Sequence, residues 1–488
     1  MDEPKYICSV GMEVHAELDT KSKMFCRCES TFGGEPNTRT CAVCLGLPGA
    51  LPVPNKSAIE MVIKTALALN CTIPQKSIFH RKNYFYPDLA KGFQTSQYED
   101  ENPLGYGGYL EIPTQDGKLK KINIKRVHLE EDTGKLMHLP NGGSGIDFNR
   151  GGKPLMEIVT DFPPDISNGE EAKEYLSQLR QILIYLGVCD GKMEEGSLRC
   201  EPNISIRLEN DEKLGTKTEL KNLNSFRAVQ MGISYEVDRQ AKILNRGEKV
   251  LQETRGWNEE SESSFAMRIK EAENDYRYFP CPDLTPMEFS DNFIEELKSS
   301  LPELPLAKFM RYQKDFGLSE YDTKLLIANK DWALWFEEAV SKGGDPKIIC
   351  NWMNSDFSKL LKEEGKLVTE SRITPEHLVE LTKLISNQTI SGKIAKEIFA
   401  KSYSTGKMPS EIVQDLGATQ LIDVNSISDL AKEVLSSHKD VVTKYLNGQV
   451  SVKGFLVGQI MKASKGRANP SIVNSTLDAI LNEFKNSN

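Results

Sequence analysis

Three strings in the first half of the chain alternate strictly between apolar and polar positions. In VGMEVHAEL, residues 10–18, Val10, Met12, Val14, Ala16 and Leu18 interleave with Gly11, Glu13, His15 and Glu17. In INIKRVHLEEDTGK, which ends at Lys135, Arg126, His128 and Glu130 fall on one side. In SLRCEPNISIR, residues 197–207, Arg199, Glu201, Asn203, Ser205 and Arg207 alternate with Leu198, Cys200, Pro202, Ile204 and Ile206. A period of two is that of a β-strand, whose successive side chains leave by opposite faces. Each string therefore predicts a strand with one apolar face and one densely charged face. Helical spacing predicts helices over 57–70 and 169–186. After the turn-rich PCPDLTP string at 280–286 the period changes for good: 293–299, 331–342 and 375–385 carry apolar residues at helical spacing, with Ser, Thr or Asp near their starts. The stretch 403–409 reads as a linker into a further helical unit. The expected fold class is α+β, with a mixed, β-sheet-rich N-terminal domain over 1–293, an all-helical domain over 294–405 and a helical tail over 406–488.

A chain of 488 residues is long enough for several cores, and 39% hydrophobic with 27% charged positions is the composition of a folded globular protein. No apolar run approaches the ~18 residues of a membrane span. The first ten residues, MDEPKYICSV, put acids where a secretion signal carries basic residues, so a cytoplasmic protein with no membrane contact is expected. With 61 basic against 70 acidic side chains the net charge is -9, which at whole-chain scale argues against a nucleic-acid partner. The interval 441–477 breaks that average: it holds no Asp or Glu, but does hold Lys444, Lys453, Lys462, Lys465 and Arg467. Taken alone, such a run is ordinarily a solvated helix face.

Four of the ten cysteines, Cys26, Cys28, Cys41 and Cys44, share one short window, as a C-x-C and a C-x-x-C pair on either side of a polar loop. That spacing suits a closed tetrahedral zinc site that holds a loop and does no chemistry. The other six are scattered and read as small buried groups. On the first strand, two carboxylates flanking an imidazole (Glu13, His15, Glu17) suit a divalent cation, although for one strand in isolation a solvated polar face is the commoner explanation. His128, Glu130, Glu131 and Asp132 end the second string, and Arg199 and Glu201 belong to the third. Carboxylates beside cations on one sheet face fit a metal–nucleotide site. Regular alternation places Glu131 opposite Glu130, unless the chain turns before Thr133-Gly134. No G-x-x-x-x-G-K-[ST], no G-x-G-x-x-G and no G-x-S-x-G occurs, so P-loop, Rossmann and serine-hydrolase sites are unsupported.

The strings GMEVHAEL at 11, SKMF at 22, RKNYFYPDL at 81, HLEEDTGK at 128, KPLMEIVT at 153, KMEEGSLRCEPNIS at 192, ELKNLNSF at 219, DYRYFPCPDL at 275 and GFLVGQIMKASKGRANP at 454 together resemble the GatB family of aspartyl/glutamyl-tRNA amidotransferase subunits, almost end to end. The resemblance implies a kinase-like cradle domain for the first part and a tRNA-binding tail of the YqeY type for the last. It implies an ATP-dependent carbon–nitrogen ligase with glutamine as amido donor, which converts Glu-tRNA(Gln) or Asp-tRNA(Asn) to the amide. It further implies ATP, Mg2+ and structural Zn2+, and a heterotrimer whose other members are an amidase and a small third protein. By motif match Glu13, His15 and Glu131 are the expected catalytic metal ligands. Lys82, Tyr84, Asp88, Arg199 and Glu201 are expected to line the substrate pocket or the ammonia route, and Lys453, Lys462, Lys465 and Arg467 to meet tRNA. The chain lacks the Ser-Ser-Lys apparatus of the amidase, in keeping with that division of labour.

Overall fold

The computed structural model describes residues 5–98, 102–139, 142–269, 276–416, 424–464, 468 and 470–486. It is mixed α/β, with a sheet-rich N-terminal unit, Met1–Ala307, and a helical unit, Lys308–Asn488.

The N-terminal unit is organised by one eight-stranded sheet. Its strands lie in the order Ser263–Ile269, Glu253–Asn258, Thr218–Lys221, Leu198–Leu208, Tyr6–Glu17, Pro154–Thr160, Leu119–Glu131, Gly105–Pro113. Every neighbouring pair is antiparallel except Thr218–Lys221 with Glu253–Asn258. The three alternating strings become three strands, and Tyr6–Glu17 runs through the middle. Its apolar set, Val10, Met12, Val14 and Ala16, is wholly buried in one core with Ala172, Leu176 and Leu179 of the Gly169–Leu186 helix and Val62 and Ala66 of the Lys56–Ala68 helix. Covering that face with helices leaves the polar face to form the floor of a cleft. The Gly169–Leu186 helix keeps the bounds its spacing predicts because both ends are specified: Asn168 accepts from Glu171 N, Glu170 and Glu171 lie in the first turn, and Gly187 ends it at φ 67°.

Outside the large sheet, the strands His80–Asn83, Phe93–Ser96 and Phe279–Pro280 make a small three-stranded sheet. It carries the RKNYFYPDL string.

The helical unit has two hydrophobic cores, one from Tyr312 to Val413 and one from Ile427 to Leu481. The expected linker at 403–409 is shorter than its composition suggests. The Gly392–Thr405 helix runs through Tyr403, which is buried and donates to Glu364 Oε2 at 3.2 Å, and Gly406 caps it at φ 75°. The next helix, Pro409–Leu416, buries Ile412 and Val413 in the core of the helices before it.

Candidate functional site

Strand register assembles the site. His15 lies opposite Glu157 on one neighbouring strand and opposite Arg199 on the other, and Glu157 lies opposite His128 on the strand beyond. Arg199, His15, Glu157 and His128 therefore form one row across four strands, at the ~5 Å spacing of cross-strand partners. Glu130 is on the same face of the Leu119–Glu131 strand, two residues beyond His128. His15 Nε2 is 3.5 Å from Glu157 Oε2 and 3.7 Å from Glu130 Oε1, and His128 Nε2 is 3.2 Å from Glu157 Oε2. His15, Glu130 and Glu157 offer ligand atoms within 4.8 Å of one another, as a divalent cation requires. A second trio with the same property, Glu13, Glu201 and Glu219, lies along the same face, where Glu13 is opposite Glu201 and Glu219 is opposite Asn203.

The electrostatics follow from burial against charge. Burial pulls the His15 imidazole down, but the bond to Glu157 and the charges of Glu157, Glu201 and Glu130 outweigh it and hold its pKa up at about 9. His128 is likewise raised against its burial by Glu157 and Glu130. The two imidazoles in turn hold Glu157 well below the usual carboxylate range despite its burial. Lys82 is raised against burial by Glu130, Tyr278 and Glu157, and so stays an ammonium over the same carboxylates. Arg199 donates to Asp132 Oδ2 at 2.6 Å, and Lys221 is 2.5 Å from Glu201 Oε2. Arg199 Nε and Asn203 Oδ1 are buried without a hydrogen-bond partner, so the wall has polar capacity left for a ligand. All these groups line one cleft of about 1710 Å³, larger than the ~300–1,000 Å³ usual for a small-molecule site.

Of the expected residues, Glu13, His15, Lys82, Tyr84, Asp88, Arg199 and Glu201 all line this cleft. Glu131 does not join His15 and Glu13. The strand stays regular to its last residue, so Glu131 leaves by the other face, the side of the buried Val127 and Leu129. There it pairs with Lys91 and accepts from Thr95 N at 2.9 Å. It lines a separate cavity of about 260 Å³ with Lys91, Cys44 and Arg81. Glu130 occupies the place in the trio that motif matching gives to Glu131. Sequence reading missed Glu157 and Glu219. Glu157 is the single acid in PLMEIV, an otherwise apolar strand, and that isolation was the available signal.

The four cysteines Cys26, Cys28, Cys41 and Cys44 come together with all Sγ atoms within 4.8 Å of one another. Tetrahedral Zn–S bonds of about 2.3 Å need sulfurs roughly 3.8 Å apart. Cys41 and Cys44 are 3.9 Å apart, so the donor set fits zinc. The Cys26 thiol, hydrogen-bonded to Cys44, lowers the Cys44 pKa to about 5, opposed by burial and assisted by Cys41 and Lys23. In the tail, Lys453 pairs with Asp478 at 2.6 Å, Lys462 ends the Lys453–Ala463 helix, and Lys465 and Arg467 lie outside the described residues. Among the described residues no helix is long and apolar enough to cross a membrane.

Fold and cleft define a protein with a carboxylate–imidazole cation site on an antiparallel sheet face, ringed by fixed positive charge. Residues 8–295 match the GatB/GatE catalytic domain and residues 334–481 match the GatB domain. The chain is 50% identical over 479 residues to the GatB protein of the aspartyl/glutamyl-tRNA(Asn/Gln) amidotransferase of Thermodesulfovibrio yellowstonii, covering 98% of this chain and all of the relative. It is 50% identical to the corresponding protein of Thermoanaerobacter pseudethanolicus over 97% of this chain and 98% of that one, and 47% identical to that of Brevibacillus brevis over 98% and all of it. The chain belongs to the GatB family.

Proposed function

We propose that this chain is the part of a tRNA-dependent amidotransferase that binds Glu-tRNA(Gln), Asp-tRNA(Asn) or both and activates the esterified amino acid's side-chain carboxylate with ATP. The observation that carries the reading is the row Arg199, His15, Glu157 and His128 with Glu130, set in a cleft whose other walls supply Lys82 and Lys221. A carboxylate resists attack by ammonia because its charge is delocalised and oxide is a poor leaving group. Transfer of the γ-phosphoryl group of ATP to a carboxylate oxygen gives an acyl phosphate and ADP. Ammonia then forms the C–N bond and phosphate leaves.

Phosphoryl transfer is catalysed mainly by positioning and charge neutralisation. His15, Glu130 and Glu157 would hold one Mg2+, and Glu13, Glu201 and Glu219 fit a second. Bound there, the metal offsets phosphate charge. Lys82 and Arg199 are fixed cations placed to do the same for the transferring group, and the unpaired Arg199 Nε is available to an oxygen. The four cysteines would hold a structural zinc. Ammonia is assigned to a partner amidase, with a small third protein completing a cytoplasmic heterotrimer, and the basic interval at 441–477 to tRNA phosphates. The test is co-expression with the amidase partner and assay of each mischarged tRNA for amide formation and ADP release. ADP release without aminoacyl-tRNA, or with any small carboxylate, would point instead to an unrelated kinase or ligase.

A further inference from the structure

Lys23 is 1% exposed, and a buried ammonium without a counter-charge is among the costliest groups a fold can carry. Its Nζ donates to Phe148 O at 3.1 Å and lies 3.8 Å from Cys44 Sγ, and among the described residues it forms no ion pair with any carboxylate. The acid that shares its surroundings at Gly152, Glu131, is taken by Lys91 and Thr95. The remaining group beside it that can carry a negative charge is Cys44. Four thiolates around Zn2+ carry a net charge of 2−, and this site is only half exposed. Each charge therefore lacks what the other supplies.

We propose that Lys23 is the buried counter-cation of a zinc tetrathiolate at Cys26, Cys28, Cys41 and Cys44, and that through Phe148 it ties that site to the Asp132 wall of the substrate cleft. The inference rests on the zinc assignment made above. The second half follows from a series of contacts on both sides of Lys23. Asn37 Nδ2 donates to Ile146 O at 2.9 Å, Arg39 N to Asn149 Oδ1 at 2.8 Å, and Met24 N to Gly152 O at 2.8 Å. The 146–153 segment fastened in this way then holds Asp132: Gly152 N donates to Asp132 O and Asp132 N to Lys153 O, both at 2.8 Å, and Arg150 Nε lies 3.7 Å from Asp132 Oδ2. Asp132 is the partner of Arg199 in the cleft. Zinc would thus act on the cleft by fixing one of its walls, at a distance from the chemistry.

The experiment uses the full chain co-purified with its amidase partner. Zinc content is measured by elemental analysis, zinc loss by transfer to a chromogenic chelator, and hydrogen exchange over 146–153 in the same samples. Partners outside the ligand shell typically change metal affinity by about 10–100-fold. Lys23→Met should therefore lose zinc roughly 10–100 times faster than wild type, while Lys23→Arg, which keeps the charge, should stay within a few-fold. Exchange over 146–153 should rise in Lys23→Met to the level of chelator-stripped wild type. Equal zinc-loss rates in wild type and Lys23→Met would overturn the counter-cation role, and unchanged exchange on zinc removal would overturn the tie to the cleft. A wild type free of zinc sinks the zinc assignment itself, a separate failure. If Lys23→Met does not accumulate, Lys23→Gln against Lys23→Arg gives the same comparison.

Discussion

The two adjacent acids at the end of the Leu119–Glu131 strand offer the sharpest test, because motif matching and strand geometry assign the cation to different members of the pair. Glu130, 4% exposed, faces His15 at 3.7 Å and accepts from Ser96 Oγ at 3.1 Å. Glu131, 5% exposed, faces Lys91 on the far side of the sheet. Glu130→Gln keeps shape and hydrogen bond but removes one charge from the trio. Loss of a preorganised electrostatic group in a dry site typically costs about 10²–10³-fold in rate. We expect that loss in ADP release with mischarged tRNA, together with a weaker apparent Mg2+ affinity. Glu131→Gln strands Lys91, which is 15% exposed. Breaking a buried pair from one side costs about 3–5 kcal/mol. Lys91 keeps Thr95 Oγ1 at 3.3 Å and the Phe93 ring at 4.9 Å, so the lower end, ~3 kcal/mol, is expected. At roughly 2–4 °C per kcal/mol for a unit of this size, the melting point falls by about 6–12 °C. Phosphorylation of the carboxylate should survive within a few-fold when measured below that melt, although amide formation, which also needs ammonia, is a separate readout. If Glu131→Gln removes the Mg2+ dependence while Glu130→Gln keeps it, the register derived for this strand does not describe the working site.

Further outcomes follow from the same structure. A metal-bound imidazole must shed its proton, and His15 is held up at about 9, so apparent Mg2+ affinity should rise by up to about tenfold per pH unit from pH 7 to 9 and flatten above; a pH-independent affinity would refute His15 as a ligand. In chelator the sign reverses. A raised folded-state pKa gives stability that is complete below the unfolded value of 6.5 and is lost as pH rises through about 9, so metal-free melting points should fall across that interval. Replacing Lys462, Lys465 and Arg467 together should weaken tRNA binding and make the plot of log K against log salt shallower by about 2–3; an unchanged slope removes the tail from the interface. Lys453→Ala should change that slope less than Lys462→Ala, because Lys453 already pairs with Asp478.

How much of this was legible in the sequence depended on whether the signal was local. Alternation at 10–18 was sufficient to place Glu13 and His15 on one face, because strand geometry gives that from spacing alone. It could not say which strands lie beside Tyr6–Glu17, and the ligand trio is a product of that order: His15 meets Glu157, 142 positions away, only through pairing with Pro154–Thr160. Glu157 was hidden for a second reason. Buried on a strand covered by helices below and charged walls above, it sits among Leu155, Met156, Ile158 and Val159, where an acid looks like an exception rather than part of a pattern. The linker at 403–409 failed in the opposite way. Ser, Thr and Gly suggested a loop, but Phe399 and Tyr403, one turn apart, are a buried helical pair that tertiary packing keeps wound to Thr405.

Whole-chain charge was the least informative reading, and the cleft shows why. Its carboxylates do not face water as a field that would repel a polyanion; they are neutralised in place, Glu157 by His15 and His128, Glu201 by Lys221, Asp132 by Arg199. Protons on the two imidazoles occupy the electrostatic role that a divalent cation would take. The site can therefore stay folded without metal and exchange protons for it when nucleotide arrives. An acidic total of -9 counts those carboxylates at full value, although within the cleft they present little net charge. The tRNA partner is judged on a different surface, the interval from 441 to 477, where basic residues meet no acid until Asp478.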